Sequence, residues 1–209
     1  MSNSHHSDIM ARLRAETRSA HEQLETLPFS KALLAETLPL SLYVGQLEAY
    51  LPIHRALEKH GKTHSDSAIR AVWQDNMCRV PLLMDDLAQF NAEMPTAAVQ
   101  LATTNFVHFI EDMALKNSVG LLGILYVFEG STLGARLITP RLQSAYQLSD
   151  KGVRYYQAYQ EETLEHWKQF SQRMNATITD AHQQNSVLEA AIKTFHHVHA
   201  LLVALWKSQ

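Results

Sequence analysis

The chain has 209 residues, 46% of them hydrophobic and 19% charged, which suits one sizeable domain and requires no second. Eighteen basic residues against 21 acidic ones leave a net charge of −3, which argues against a broad nucleic-acid or anionic-membrane surface. The single cysteine, Cys78, excludes an internal disulfide and any CxxC site, and points to a reducing cytoplasm.

The N-terminal MSNSHHSDIMARLR lacks the apolar stretch of a signal peptide, and residues 1–7, including His5 and His6, are expected to be a flexible tail. Ser7 or Asp8 can cap a first helix running to Leu27, where Pro28 marks the boundary. A second helix covers 40–60, with Tyr43, Leu47, Tyr50, Leu51, His54 and Leu57 along one face and Gly61 ending it. Shorter helices over 66–75 and 81–91 are separated near Arg79-Val80-Pro81. A long pair, 97–115 and 118–138, breaks around Asn117-Ser118, and Pro140 stops its second member. The longest uncharged run, 117–128, is too short for a membrane span. Polar residues around 148–153, with Gly152, mark the longest loop. Helix 158–179 sets Leu164, Trp167, Phe170, Met174 and Ile178 at three- and four-residue steps. The last helix, 184–206, repeats the pattern with Leu188, Ile192, Phe195, Val198, His199, Leu202 and Leu205. No strand, repeat or low-complexity tract is evident. The expected fold is all-α, a single-domain bundle of seven to nine helices over 1–209.

Four of the seven glycines (Gly120, Gly123, Gly130 and Gly134) fall within fifteen residues of the most apolar segment. Each glycine inside a helix costs about 0.5–1 kcal/mol relative to alanine, so the backbone there needs to be bare. One reading is close helix–helix packing through small residues. The other is a flat ligand lying on the bare backbone, or a helix that bends there, with the Ser131 and Thr132 hydroxyls feeding backbone carbonyls. Glu129, the only charge between Lys116 and Arg136, either reaches solvent or pairs with a base.

In LRAETRSAHEQLE, residues 13–25, the three- and four-residue steps put Arg14, Arg18 and His21 on one face, with Glu25 one turn beyond. A neutral imidazole is a common transition-metal ligand, and a carboxylate on its other nitrogen fixes the tautomer. On spacing alone HxxxE is equally a surface ion pair. It is not HExxH, which excludes a zincin site. The two arginines suit carboxylates or phosphates. His196, His197 and His199 form a cluster with no carboxylate nearby, and His196 and His199 can face one way. His54, His108 and His166 have no partner that sequence names. Cys78 reads as a structural thiol. There is no GxSxG, P-loop or GxGxxG.

The segments RSAHEQLE, YVGQLEAYLPIHRALEKH, GILYVFEGSTLGARLI and EHWKQFSQRMN, with the final apolar helix, together resemble the heme oxygenase family. The EGSTLG sequence after an apolar LYV run is similar to its bacterial, biliverdin-forming branch. The resemblance implies heme between a helix supplying a histidine and a kinked, glycine-rich distal helix. His21 would then be the axial iron ligand and Glu25 its partner, with Gly130, Ser131 and Gly134 forming the catalytic face. Arg14 falls where the family commonly places a basic residue for a heme propionate, and Arg18 neighbours it. Lys168 and Arg173 resemble the second propionate-binding group, and Tyr126 would approach a propionate too.

Two departures stand out. Ser131 replaces the aspartate of the animal enzymes, so either Ser131 with ordered water or another group such as Glu129 would organise proton delivery. Ala135 stands where a second consecutive glycine is common. The implied reaction converts heme, both cofactor and substrate, to biliverdin, CO and ferrous iron, using O2 and an external electron donor such as ferredoxin or a reductase. A bilin-accepting protein is a further implied partner; nucleic acid and membrane are not expected. A heme-binding or heme-sensing protein of the same fold is the alternative. A thiamin-degrading relative is disfavoured, because Cys78 lies in a poorly matching segment.

Overall fold

A computed structural model describes residues 8–91 and 94–208; the expected tail, with Ser7 as a cap, lies outside them. Among the described residues there are ten α-helices, three short 3-10 turns and no strand. The excess over seven to nine comes from the N-terminus, where the one helix expected up to Leu27 is two and a further short helix follows from Pro28. Asp8 caps α1 (Ile9–Glu16), its carboxylate accepting from the Met10 and Ala11 N–H groups at 2.9 and 3.2 Å. At Thr17 the helix is interrupted although the backbone stays in the right-handed helical region, and the Thr17 hydroxyl donates to the Leu13 carbonyl at 2.7 Å. A second helix, α2 (Arg18–Thr26), follows, and Pro28 then starts α3 (Pro28–Leu34), since its missing N–H costs nothing at a first position.

Helix α4 (Leu40–Thr63) runs through Gly61 and ends at His64. Gly61 is therefore a contact glycine and not a stop: a Cβ there would lie 2.2 Å from Cε3 of Trp73. Trp73 takes up that position by turning extended, which ends α5 (Ser67–Val72) earlier than its periodicity suggests. Helices α6 (Val80–Leu87), α7 (Ala97–Lys116) and α8 (Leu121–Tyr146) follow, then α9 (Thr163–Thr177) and α10 (Ala181–Trp206). Pro140 lies inside α8 and does not end it. The lost hydrogen bond is outweighed by six further residues that bring Leu142 into the core.

Helix α8 packs chiefly on α10, with α9, α7 and α4 around it. By length and composition Ser118–Tyr146 is apolar enough to cross a bilayer, yet half of that window is buried inside the fold. Helix contacts explain two of the four clustered glycines, Gly123 against α10 and Gly120 against Met113 of α7. A Cβ at Gly123 would sit 2.0 Å from the Val187 carbonyl oxygen and 2.8 Å from the Ala191 nitrogen. One at Gly120 would sit 2.9 Å from Met113 Sδ. The long loop between α8 and α9 is tied down by Asp86, whose buried carboxylate accepts from the N–H groups of Gly152, Arg154 and Tyr155 at 3.0, 2.8 and 2.8 Å. This brings Tyr155 against Tyr50 and His54 of α4, and Tyr159 against Glu129 in the middle of α8.

Candidate functional site

Residues Leu121 to Glu129 of α8 are all buried; from Gly130 onward the helix opens. Gly130, Gly134 and Leu137 share one face at steps of four and three, and Leu137 is 67% exposed although apolar. Unlike Gly120 and Gly123, these two glycines do not serve helix contact. A Cβ on Gly134 would meet nothing within 4 Å, and one on Gly130 only the Trp167 ring, at 3.6 Å. Ser131 and Thr132 donate to the Phe128 and Glu129 carbonyls at 2.7 and 2.6 Å, the back-bonding that bends helices. The Ser131 proton is thus committed, and its oxygen keeps lone pairs for a water or ligand.

The pair of glycines also makes opposite stability predictions along one helix. Gly134→Ala should stabilise the ligand-free protein by about 0.5–1 kcal/mol, because the methyl enters open space. Gly123→Ala should destabilise it by about 3 kcal/mol, since α8 and α10 must move apart. Urea denaturation of the two variants checks both signs.

The histidine expected for the site is carried by α2. It packs on α10, α3 and α1, has no extended packing against α8, and contains no fully buried residue. His21 is 60% exposed, its ring edge-on to Phe195 with centroids 6.0 Å apart. Glu25 Oε1 lies 3.6 Å from His21 Nδ1, which leaves Nε2 as the nitrogen for a ligand. Thr17, at the α1–α2 break, touches Tyr126 of α8. His21 and Gly130 each lie one turn, about 5.4 Å of rise, beyond that contact.

Arg14 faces Tyr126: burial pushes the phenol pKa up, and the Thr17 hydroxyl and the Arg14 charge oppose the rise. Arg18 instead forms a surface pair with Glu22 at 2.7 Å and does not extend the Arg14 site. On α9 the inward face is Trp167, Phe170, Ser171 and Met174, not Lys168 and Arg173. Lys168 is exposed beside Glu165, and Arg173 donates to the Val72 carbonyl at 3.2 Å. Trp167 was not singled out for the site by sequence. It stands against Gly130 and Tyr126, and its place in the apolar stripe of α9 was the available signal.

Glu129 pairs with a base. Its carboxylate, 3% exposed, accepts from Arg79 Nη2 at 2.9 Å and from the Tyr159 hydroxyl at 2.7 Å. Burial pushes its pKa up, opposed chiefly by the Arg79 charge. His54, fully buried on Tyr155 at 3.2 Å, has its pKa pushed down to about 3 by burial and is neutral. His166 stacks on Tyr159, and His197 on Phe106 and Phe109. Cys78 is half-buried, and burial pushes its thiol pKa up, as suits a structural thiol. Among the described residues no group of three His, Cys, Asp or Glu could hold a metal, so a bare ion has no ready-made cage. A cleft of about 460 Å³ lies further along α8, where Arg136, Thr139, Gln143, Asp150 and Gln160 give it polar walls; the glycines do not line it.

The comparisons agree with one another. A family model described as heme oxygenase matches residues 7–204. The structure of heme oxygenase-2 from Synechocystis, in complex with heme and NO, superposes with a TM-score of 0.89 at 18% identity, over 97% of this chain and 86% of that one. Heme oxygenase-1 from the same cyanobacterium, in complex with heme, gives 0.85 at 17% identity, over 97% and 93%. The heme oxygenase of Leptospira interrogans gives 0.85 at 17%, over 94% and 98%. At these identities the structures speak for the fold alone. No curated protein matches the sequence.

Proposed function

The chain belongs to the heme oxygenase family, and from that membership we propose that it cleaves heme, with O2 and external electrons, to biliverdin, CO and ferrous iron. The observation that carries the proposal is the bare face of α8. Two helix-interior glycines are kept there where no protein atom requires them, and the histidine helix α2 is exposed and not packed against α8 to any extent. A flat, apolar ligand accounts for both features and covers Leu137.

Heme supplies the oxygen-activating iron and is itself the molecule cleaved. His21 Nε2 would ligate the iron, with Glu25 beside Nδ1 to orient the ring. The absence of side chains at Gly130 and Gly134 keeps the opposite side open. Ser131, with its hydroxyl donated to Phe128, offers an acceptor that orients a water for proton transfer. Arg14, next to Tyr126, takes a propionate at one edge of the slot, and Trp167 walls it from α9. The reading implies an electron donor such as a ferredoxin or a reductase, and a cytoplasmic reaction that serves either iron release or the supply of biliverdin to a bilin-accepting protein.

A second reading is a same-fold protein that binds heme without degrading it. The observation favouring it is Ser131, whose committed proton and missing charge make it a weaker organiser of water than a carboxylate. A single-turnover experiment separates the two. One equivalent of hemin should produce a Soret band, and ascorbate in air with catalase should replace it with the broad red absorbance of biliverdin. A Soret band that persists with ascorbate and also with a ferredoxin–reductase couple would leave the binding protein. No Soret band would sink both readings.

A further inference from the structure

We propose that Arg79, Glu129 and Tyr159 are positioning residues that set where the Gly130–Gly134 backbone lies relative to a bound tetrapyrrole, and so bias which ring edge is oxidised. The inference rests on the heme reading of that face. Glu129 is the last buried residue of α8 before the helix opens, and it directly precedes the glycine that removes the first side chain from the face. Both its carboxylate oxygens are engaged, Oε1 by Arg79 and Oε2 by Tyr159.

The clamp is itself anchored from three directions. Arg79, 3% exposed, donates Nη1–H to the Asn76 carbonyl at 3.1 Å, and its backbone N–H donates to the buried carboxylate of Glu58 at 2.5 Å. Its guanidinium lies 4.5 Å over the Tyr159 ring, whose other neighbour is His166 of α9, stacked at 4.1 Å. Through Glu58, α4 is joined to the start of α6 at Arg79 and Val80. The long loop supplies Tyr159, and Asp86 fixes that loop. Helix α8 is thereby held at one residue by groups from α4, α6, α9 and the loop. The next turn carries two glycines, and its Ser131 and Thr132 hydroxyls donate back to the Phe128 and Glu129 carbonyls. A bend needs a fixed end to have a fixed direction, and Glu129 is that end.

Tyr159→Phe is the informative variant, because it keeps the ring over Arg79 and His166 and removes one hydrogen bond to a buried charge. In ligand-free protein, amide exchange over 131–135 should speed up by about tenfold while α10 amides keep their protection. In the hemin–cyanide complex, the ratio of heme seatings read from shifted methyl resonances should change, and the biliverdin isomer ratio with it, each by about tenfold. Glu129→Gln, if it folds, should move both ratios further. Exchange unchanged, or exchange faster with both ratios unchanged, overturns the positioning role. Failure of the wild-type protein to take up hemin would sink the functional reading instead, and the exchange comparison would still decide whether Tyr159 holds the glycine segment.

Discussion

His21→Ala should cost the protein its hemin complex while leaving its fold intact. Replacing the histidine removes the nitrogen proposed to ligate the iron, and affinity should fall by about a hundredfold or more, which is roughly 2.8 kcal/mol at 1.4 kcal/mol per tenfold. The residual complex should show a shifted, weakened Soret band, and added imidazole should restore part of it. Unfolding free energy should change by no more than about 0.5 kcal/mol, because the side chain is 60% exposed. Hemin titration followed by absorbance, with urea denaturation alongside, reads both quantities. An unchanged Soret band would remove His21 from the site and direct attention to another histidine, His54 being excluded from easy access by complete burial.

The second large effect is on stability. Glu129→Ala leaves the Arg79 guanidinium buried without a counter-charge, and such a loss costs about 3–5 kcal/mol. That is a large part of the 5–15 kcal/mol typical of a domain, so the single variant should unfold at markedly lower urea. Replacing both partners together, Glu129→Leu with Arg79→Met, should recover much of the loss, since neither charge is then stranded. A single variant that loses less than about 1 kcal/mol would mean that water enters the cluster, and the pair would have to be treated as solvated.

What the sequence disclosed follows from how local each determinant is. Apolar periodicity locates α4, α7, α8, α9 and α10, because each buries a continuous stripe and periodicity records that directly. Helix ends set by distant partners were illegible: Gly61 is bare because Trp73 lies on it, and Trp73 comes from the next helix. Pro140 was read as a stop, since a proline's local cost is visible in sequence and the compensating burial of Leu142 is not. Of the residues proposed for the site, Arg14, His21 and Glu25 show as helical spacings and Gly130 and Gly134 as bare positions in an apolar helix, while their roles come from the resemblance. Arg18, expected from its place on the Arg14 face, and Lys168, expected from the resemblance, form surface pairs in the fold. The four glycines looked alike in sequence; only the atoms beyond each position divide them into two that pack and two that face open space. The partners of Glu129 lie 50 and 30 residues away, beyond any spacing rule.

Helix α2 contributes no fully buried side chain to the fold, so little free energy opposes its local opening. Nicking of this segment by a protease therefore follows the small population of opened chains. A ligand gripped between His21 and α8 would lower that population by the factor 1 + [L]/Kd. Heme supply would then set the lifetime of the polypeptide: chains holding heme would resist cleavage at Arg18, and idle chains would be cleared first.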